Sequence, residues 1–548
     1  MLGHAGYGPE SDGISDPLDR LMPAHDLNLQ VYVKHYTRTK EISICAGAMQ
    51  ETLYKRPFLE PELAFAHFLR HQRLTMKPNF ELGVHYTPDS KSTTIRLVDL
   101  TSARVQFVRI TWTDLANVVR FRVVPLAYFQ KMVESSRPGV TMGIACLGIL
   151  NCRMADGFSA VGEVFLSLDL TSIRFCPYAP KQVIVMGFLQ HKHPVSGPNG
   201  ELAFQPALCA RSALKRVVQR ARTEYAAEFL VGFESEFNLL ESTSPIVPAS
   251  VHEYSASNAL RAGQKCTIVM DEIAHAIIAS GIELQLYHAE AAPGQFEVVT
   301  GPMPPLEAAD ALVLTREIIY NIAAKHGLHA TFAPRIFESI GTAAHAHISV
   351  HSTRKEEKKV SEQLSRTEEL FLAGLMGHLP SVCALTLPTT ASYRRVGDGF
   401  WSGGTYVCWG TENRECPVRL TNAKSTSSRR FEMRFIDGTA NPYLALAGIL
   451  GAGAAGLRDK KGLDVKDCSG ETPAAQMSEE ERAAHGISLR MSRTWEEGRA
   501  NFDASQEMGL VFGDEFKAAF LSVGKLVKER LEEGINEDAR KRLLVELY

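Results

Sequence analysis

The stretch FLVGFESEFNLL, Phe229 to Leu240, sets Glu234 and Glu236 two residues apart inside an apolar run. On a β-strand, side chains two apart face the same side. A strand here therefore points both carboxylates one way, and adjacent like charges weaken a sheet unless something compensates them. Three more stretches repeat the pattern. GTAAHAHISV places His345 and His347 on one face, RRFEMRFIDG does the same for Glu432 and Arg434, and YHAEAAPGQFEVV offers His288, Glu290 and Glu297. A lone pair of this kind reads as solvated surface charge or a satisfied core pair. Four of them on apolar strands of one region are much harder to dismiss and point to a dense polar site.

Pooled, these stretches supply the carboxylates of Glu234, Glu236, Glu290, Glu297 and Glu432, at least one imidazole and no thiolate. Oxygen-rich ligand sets suit hard divalent ions such as Mg2+ or Mn2+ rather than structural zinc. The same part of the chain holds Arg395, Arg414, Arg419, Arg430 and Arg434. Guanidinium forks match carboxylate and phosphate oxygens. Divalent ions with converging arginines describe a phosphoryl-transfer site, where catalysis consists mainly of positioning and charge neutralisation.

Bulk properties narrow the remaining classes. The chain has 548 residues, 45% hydrophobic and 22% charged, with room for two or more domains. Its net charge of -3 provides no general field for nucleic acid or an anionic membrane surface, so neither is expected as a partner. The cysteines form no CxxC pair, which argues against a zinc knuckle or a thioredoxin-like centre and favours reduced, buried thiols. MLGHAGYGPESDGISDPLDR lacks a secretory n-region and h-region, so the expected location is cytoplasmic. The most apolar run, YLALAGILGAGAAGL from Tyr443, is too short for a bilayer and reads as a buried helix.

Along the chain, residues 1–99 show little periodicity apart from a helical pattern over Leu59–Leu74, and a partly disordered extension is expected there. From Arg104, RVQFVRITW, TDLAN and VVRFRVV predict a hairpin whose turn carries Asp114 and Asn117. Strand-like runs continue to about residue 190, which gives a small β-rich domain over 100–205. Beyond Pro206, ARSALKRVVQRARTEYAAEFL has helical spacing and opens a larger domain, 206–548. In it strands and long helices alternate irregularly, including a helix over about 306–326, and amphipathic helices close the chain.

Taken in order, GxExEF (232–237), HAEAAPGQFE (288–297), GxxxHxH (341–347), NRxxxxR (413–419) and RRFEMRFIDGTANPYLALAGIL (429–450) resemble the glutamine synthetases, type I-like, with the γ-glutamyl-amine ligases as a branch. The resemblance runs from about residue 100 to the end. It implies an α+β fold: a β-grasp N-terminal domain, then a catalytic domain with a curved antiparallel sheet flanked by helices. It also implies homo-oligomeric rings with active sites between subunits. The implied reaction is ATP-dependent: the γ-carboxylate of glutamate takes the terminal phosphate, and an amine captures the γ-glutamyl phosphate.

Carried over by position, one metal would sit on Glu236, Glu290 and Glu297 and another on Glu234, His345 and Glu432, giving two or more ions per site. His347 and Arg395 match residues that hold the glutamate, and Gly341 matches the loop at its amino group. Arg414 and Arg419 match nucleotide-phosphate arginines, Arg430 and Ser349 are further ATP-site candidates, and Arg434 matches the arginine near the transferred phosphoryl group.

Two positions depart from the family pattern. In GDGFWSGG, Trp401 stands where glutamine synthetases carry a loop glutamate that takes a proton from ammonium. An indole is no base, but it offers a flat face to a larger amine and a cation-π surface. Trp401 thus reads as a lid over an organic amine, or as a packing residue in a loop about one residue longer. Ile340 replaces a common asparagine before Gly341. Asp114 matches an aspartate that the family supplies from the adjacent subunit to the ammonium pocket; a plain turn aspartate is the alternative. The expected function is a ligase joining glutamate to an organic amine, with an authentic glutamine synthetase or a non-catalytic regulator or scaffold as alternatives. No adenylylated tyrosine is expected between Asp459 and Glu480.

Overall fold

The computed structural model describes residues 81–88, 94–196, 200–338, 340–354, 360–361, 363–400, 403–534 and 536–548. All belong to one compact unit, Phe80–Tyr548. The helical pattern over Leu59–Leu74 and the lid position Trp401 lie outside the described residues.

The expected hairpin is formed by Phe107–Thr113 and Val119–Pro125, paired antiparallel. Its turn closes because the Asp114 carboxylate accepts the backbone N–H groups of Ala116 and Val118, both at 2.9 Å, while Asn117 takes the left-handed conformation that asparagine tolerates, φ 65°. Phe107–Thr113 also runs parallel to Gln182–His191. Antiparallel neighbours Glu163–Leu168 and Gly139–Gly143 complete the sheet on that side. The helix Leu126–Val133 sends Phe129 into a core with Val108, Ile110, Leu166, Val183 and Val185. This is a mixed sheet with one helix packed on it.

The large sheet is built around one long strand, Ala227–Thr243. In spatial order it runs Leu284–Ala289, Gln295–Thr300, Ala227–Thr243, Ala346–Ser352, Arg430–Met433, Val418–Thr421 and Trp409–Thr411. It is antiparallel except for the last pair, which is parallel. One side packs on Ala210–Tyr225, Pro305–Lys325, Arg366–Thr386 and Pro442–Asp459 within a single hydrophobic core. Residues Tyr443 to Leu457 are all buried, as their composition predicts. A Cβ on Gly456 would run into the backbone of Leu370 and Gly374, so glycine here sets how closely the last two helices approach. Among the described helices, Arg366–Thr386 is long and apolar enough to cross a membrane, but 67% of that window is buried inside the protein.

Three of the cysteines scattered along the chain come together in space. Cys408, Cys416 and Cys468 meet in a small satellite core with Met477 and Ile487. The described cysteines are free thiols.

Candidate active site

Strand register assembles the polar face. Glu236 stands opposite Glu297 on the neighbouring strand, and Glu297 stands opposite His288 on the next. On the other side of the long strand, Gly232 is opposite His347, His347 opposite Glu432, and Glu432 opposite Arg419. Directly opposed residues share a face, and Glu234 and Glu236 share it by the two-residue period. The same-face pairs of the sequence thus merge into one surface.

Two ligand groups result. The carboxylate and imidazole atoms of Glu234, His347 and Glu432 lie within 4.8 Å of one another, as do those of His288, Glu290 and Glu297. His345 joins them: its Nδ1 lies 3.1 Å from Glu234, 3.5 Å from Glu432 and 4.0 Å from Glu236. His347 Nε2 lies 2.8 Å from Glu234. Glu236 is oriented by the Ala343 N–H at 2.8 Å and the Gln295 side-chain amide at 3.0 Å.

These acids are not at ease together. Burial pushes the Glu236 carboxyl well above its usual range, and the charges of Glu297 and Glu290 push it further. Burial and Glu297 likewise raise Glu290 to about 7. Glu234 behaves oppositely. Its burial is outweighed by His347 and by the hydrogen bonds from both histidines, which hold it well below the usual range. A hydrogen bond to Glu297 lifts His288 to about 9.

Two cavities open on this face and share Glu234 and Arg430. One, of about 300 Å³, is lined by Glu236, Glu290, Glu297, His345, Gly341, Arg395, Arg414 and Arg434. The other, of about 460 Å³, is lined by Gly232, His347, Ser349, Asn422, Ser427 and the segment around Tyr86.

The arginines divide by environment. Arg395 is 1% exposed; its Nη2 donates to the carbonyls of Arg434 and Ile436 at 2.9 and 3.1 Å, which fixes the fork beneath the smaller cavity. Gly341 lies against it, and a Cβ there would strike the Arg395 stem. Arg434 is buried and ion-paired with Glu432. Arg419 bridges Glu432 at 3.1 Å and Glu412 at 2.6 Å. Arg430 Nε donates to His347 Nδ1 at 3.1 Å. Ser349 Oγ lies 2.8 Å from His351 Nε2. Arg414 is exposed on the turn that leads into Val418–Thr421.

Asp114 stands apart. Its carboxylate is 1% exposed and receives Arg120 Nε at 2.8 Å besides the two turn amides. Burial still lifts it to about 6. Gln295 and Tyr254 carry no signal of their own in the sequence. Gln295 bridges Glu236 and the Gly341 carbonyl, at 3.0 and 3.1 Å, and Tyr254 packs edge-on against His288. Phe400, at the tip of the glycine-rich loop, lines the smaller cavity with the Arg335 guanidinium 5.2 Å over its ring. Only the register across separate strands and loops brings them here.

A curled, largely antiparallel sheet thus presents carboxylates, histidines and arginines on one face above a helical core. The chain belongs to the glutamine synthetase family: that family's "Glutamine synthetase, catalytic domain" matches residues 207–542. The family resemblance read from the motifs and the α+β fold class are both borne out. The chain is 34% identical over 453 residues to Protein fluG of Emericella nidulans, which covers 80% of this chain and 49% of that protein, so it spans about half the length of this relative. It is 30% identical over 453 residues to the gamma-glutamylpolyamine synthetase GlnA3 of Streptomyces coelicolor, covering 80% of this chain and 93% of that one. Among solved structures, a GmaS/ADP complex has a TM-score of 0.65 at 23% identity, covering 79% and 95% of the two chains. A glutamine synthase homolog has a TM-score of 0.65 at 25% identity, covering 81% and 99%.

Proposed function

We propose that this protein is an ATP-dependent carbon-nitrogen ligase that joins an organic amine to the γ-carboxylate of glutamate through γ-glutamyl phosphate. The observation that carries the reading is the convergence of Glu236, Glu290 and Glu297. Two of these carboxyls are driven toward their neutral form, an unfavourable arrangement unless a cation belongs among them.

The donors are carboxylate oxygens and imidazole nitrogens, the chemistry of a Mg2+ or Mn2+ site. Glu236, Glu290 and Glu297 would hold one ion. Glu234 and Glu432 would hold another, with His345 and His347 both within reach of Glu234. Ions held there would supply charge neutralisation for the phosphates.

The larger cavity, with Ser349 and Arg430, takes the nucleotide. A fold neighbour in complex with ADP supports a nucleotide on this architecture. Arg414 and Arg419 supply forks for its phosphates. The smaller cavity takes the acid: Arg395 faces the α-carboxylate and the loop at Gly341 meets the amino group, with His347 assigned to the acid from the wall of the adjoining larger cavity. Arg434, tethered by Glu432, stabilises charge on the phosphoryl group as it moves. The γ-carboxylate oxygen attacks the terminal phosphorus and ADP leaves. The amine nitrogen then attacks the acyl carbon, phosphate departs, and the amine gives up a proton. Activation as acyl phosphate turns an oxyanion into a leaving group.

Similarity to a gamma-glutamylpolyamine synthetase supports an organic amine rather than ammonia. So does Trp401 in place of the loop glutamate, next in sequence to Phe400, which lines the smaller cavity. Asp114 is assigned to its turn, since Arg120 and the turn amides occupy its carboxylate. We further infer a homo-oligomer. The edge strand Val119–Pro125 exposes Phe121 and Val123, with Phe107 and Tyr128 nearby, an apolar edge that a second subunit would cover.

The test is phosphate release from ATP with magnesium and L-glutamate, comparing ammonium with polyamines, aromatic amines and amino acids. Turnover with an organic amine but not ammonium is expected. Turnover with ammonium alone makes the protein a glutamine synthetase, and silence with every amine points to a scaffold.

A further inference from the structure

Cys408 and Cys416 flank one strand and turn and Cys468 comes from a distant segment, yet their sulfurs lie within 4.8 Å of one another, with 3.6 Å between those of Cys408 and Cys416. The three are 1%, 2% and 2% exposed. Met477 and Ile487 close the pocket, with Tyr406 and Val465 packed against it. Three thiols turned toward one point, rather than each into its own apolar niche, form a soft ligand set quite unlike the oxygen-rich active site. Burial argues against a redox role, because reactive thiols sit where solvent reaches them.

We propose that these cysteines form a second, structural metal site for a thiophilic d10 cation of the zinc(II) class. On binding, each thiol gives its proton to solvent and ligates as thiolate. His485 supplies the fourth, tetrahedral ligand by swinging its imidazole inward, since it is not among the groups within 4.8 Å of all three sulfurs. The backbone of its segment is tied to that of Cys468 by the Lys466 N–H donating to the His485 carbonyl at 2.9 Å. Its Nδ1 is engaged by the Glu481 carbonyl at 2.9 Å, which leaves Nε2 for coordination, the usual arrangement of a ligating histidine.

The location gives the ion a purpose. Cys408 immediately precedes the strand Trp409–Thr411, and Cys416 ends the turn that carries Arg414 into the smaller cavity. Segment 465–468 is already strapped to this turn. Cys468 N–H donates to the Trp409 carbonyl at 3.0 Å, Asn413 donates to the Cys468 carbonyl at 2.7 Å, and Thr411 is bound by Asp467. An ion on the three sulfurs clamps both ends of the turn and holds Arg414 in place. Metal binding stands independently of the proposed reaction; only this effect on Arg414 rests on it.

The experiment is elemental analysis of the full chain, purified without added metal and passed through gel filtration, followed by cobalt(II) substitution. About one zinc per chain is expected to stay bound, with cobalt giving a thiolate-to-cobalt charge-transfer band in the near ultraviolet. Cys416→Ser and Cys468→Ser are expected to lose both, while Cys266→Ser, at a buried thiol elsewhere, keeps both. A zinc-free chain with no such cobalt band overturns the site, as does a Cys408–Cys416 disulfide in freshly purified protein. The unsubstituted protein decides the matter even if the variants fail to fold.

Discussion

Glu236 and Glu297 stand directly opposite one another on adjacent antiparallel strands, 7% and 6% exposed, with Glu290 close enough to raise the Glu236 carboxyl further. Without a cation this arrangement costs stability, and the cost depends on pH. Glu290 is raised from 4.5 to about 7 by burial and then by Glu297. A folded value above the unfolded one means that its contribution is complete below pH 4.5 and is lost as pH rises through 7. His288, raised from 6.5 to about 9, has the same sign: its contribution is whole below 6.5 and lost through 9. Chelated protein should therefore lose a few degrees of melting temperature as the buffer goes from pH 6 to 9. Adding Mg2+ or Mn2+ at the alkaline end should restore it, which thermal denaturation with and without metal will show.

The same pair separates stability from function. Glu236→Gln keeps the acceptor for the Ala343 N–H and removes one of the crowded charges. Chelated Glu236→Gln should melt above the chelated parent, while ligase turnover falls by at least about 100-fold for want of a metal ligand. A variant less stable than its parent would mean that the carboxylate serves the fold rather than a cation.

Much of this site was legible because strands write their faces into the sequence with a period of two. Glu234 with Glu236, and His345 with His347, needed no structure to be seen as pairs. What the period cannot tell is which strand lies beside which. Glu236 and Glu297 are far apart in the chain, and their opposition follows from a pairing register set by the whole helical core beneath. His288 was seen as one of a group, but its place across from Glu297 is a register fact too. The three cysteines were invisible for a related reason: CxxC spacing reports sites built on one turn, whereas this one spans segments that only folding joins. Asp114 shows the limit from another side, because position in a hairpin turn says nothing of Arg120 reaching over to cover it.

Gly341 and Arg395 provide a third test. A Cβ at 341 would displace the Arg395 stem, whose guanidinium is held by the Arg434 and Ile436 carbonyls. Overpacking at a buried contact costs about 1–3 kcal/mol, and here the strain moves the fork assigned to the acid substrate. Gly341→Ala should raise the KM for L-glutamate roughly 10-fold with a smaller effect on the KM for ATP. Equal rises for both substrates would place the damage in the fold instead.

The loop that carries Phe400 gives the sharpest test of the amine. Its backbone closes on itself, Phe400 N–H donating to the Gly397 carbonyl at 3.1 Å and Gly403 N–H to the Phe400 carbonyl at 3.2 Å. Asp398 anchors it through Thr405 Oγ1 and Arg490, both at 2.7 Å. An anchored loop tolerates an exchanged side chain near its tip without losing its path, so Trp401→Glu changes chemistry more than shape. A carboxylate there attracts ammonium and accepts its proton, which an indole cannot do. Trp401→Glu should gain ammonium-dependent phosphate release and lose turnover with the preferred organic amine, because the flat apolar face is gone. Unchanged amine preference in a variant that melts like its parent would remove position 401 from the amine pocket and leave selectivity to Phe400 and its neighbours in the cavity wall.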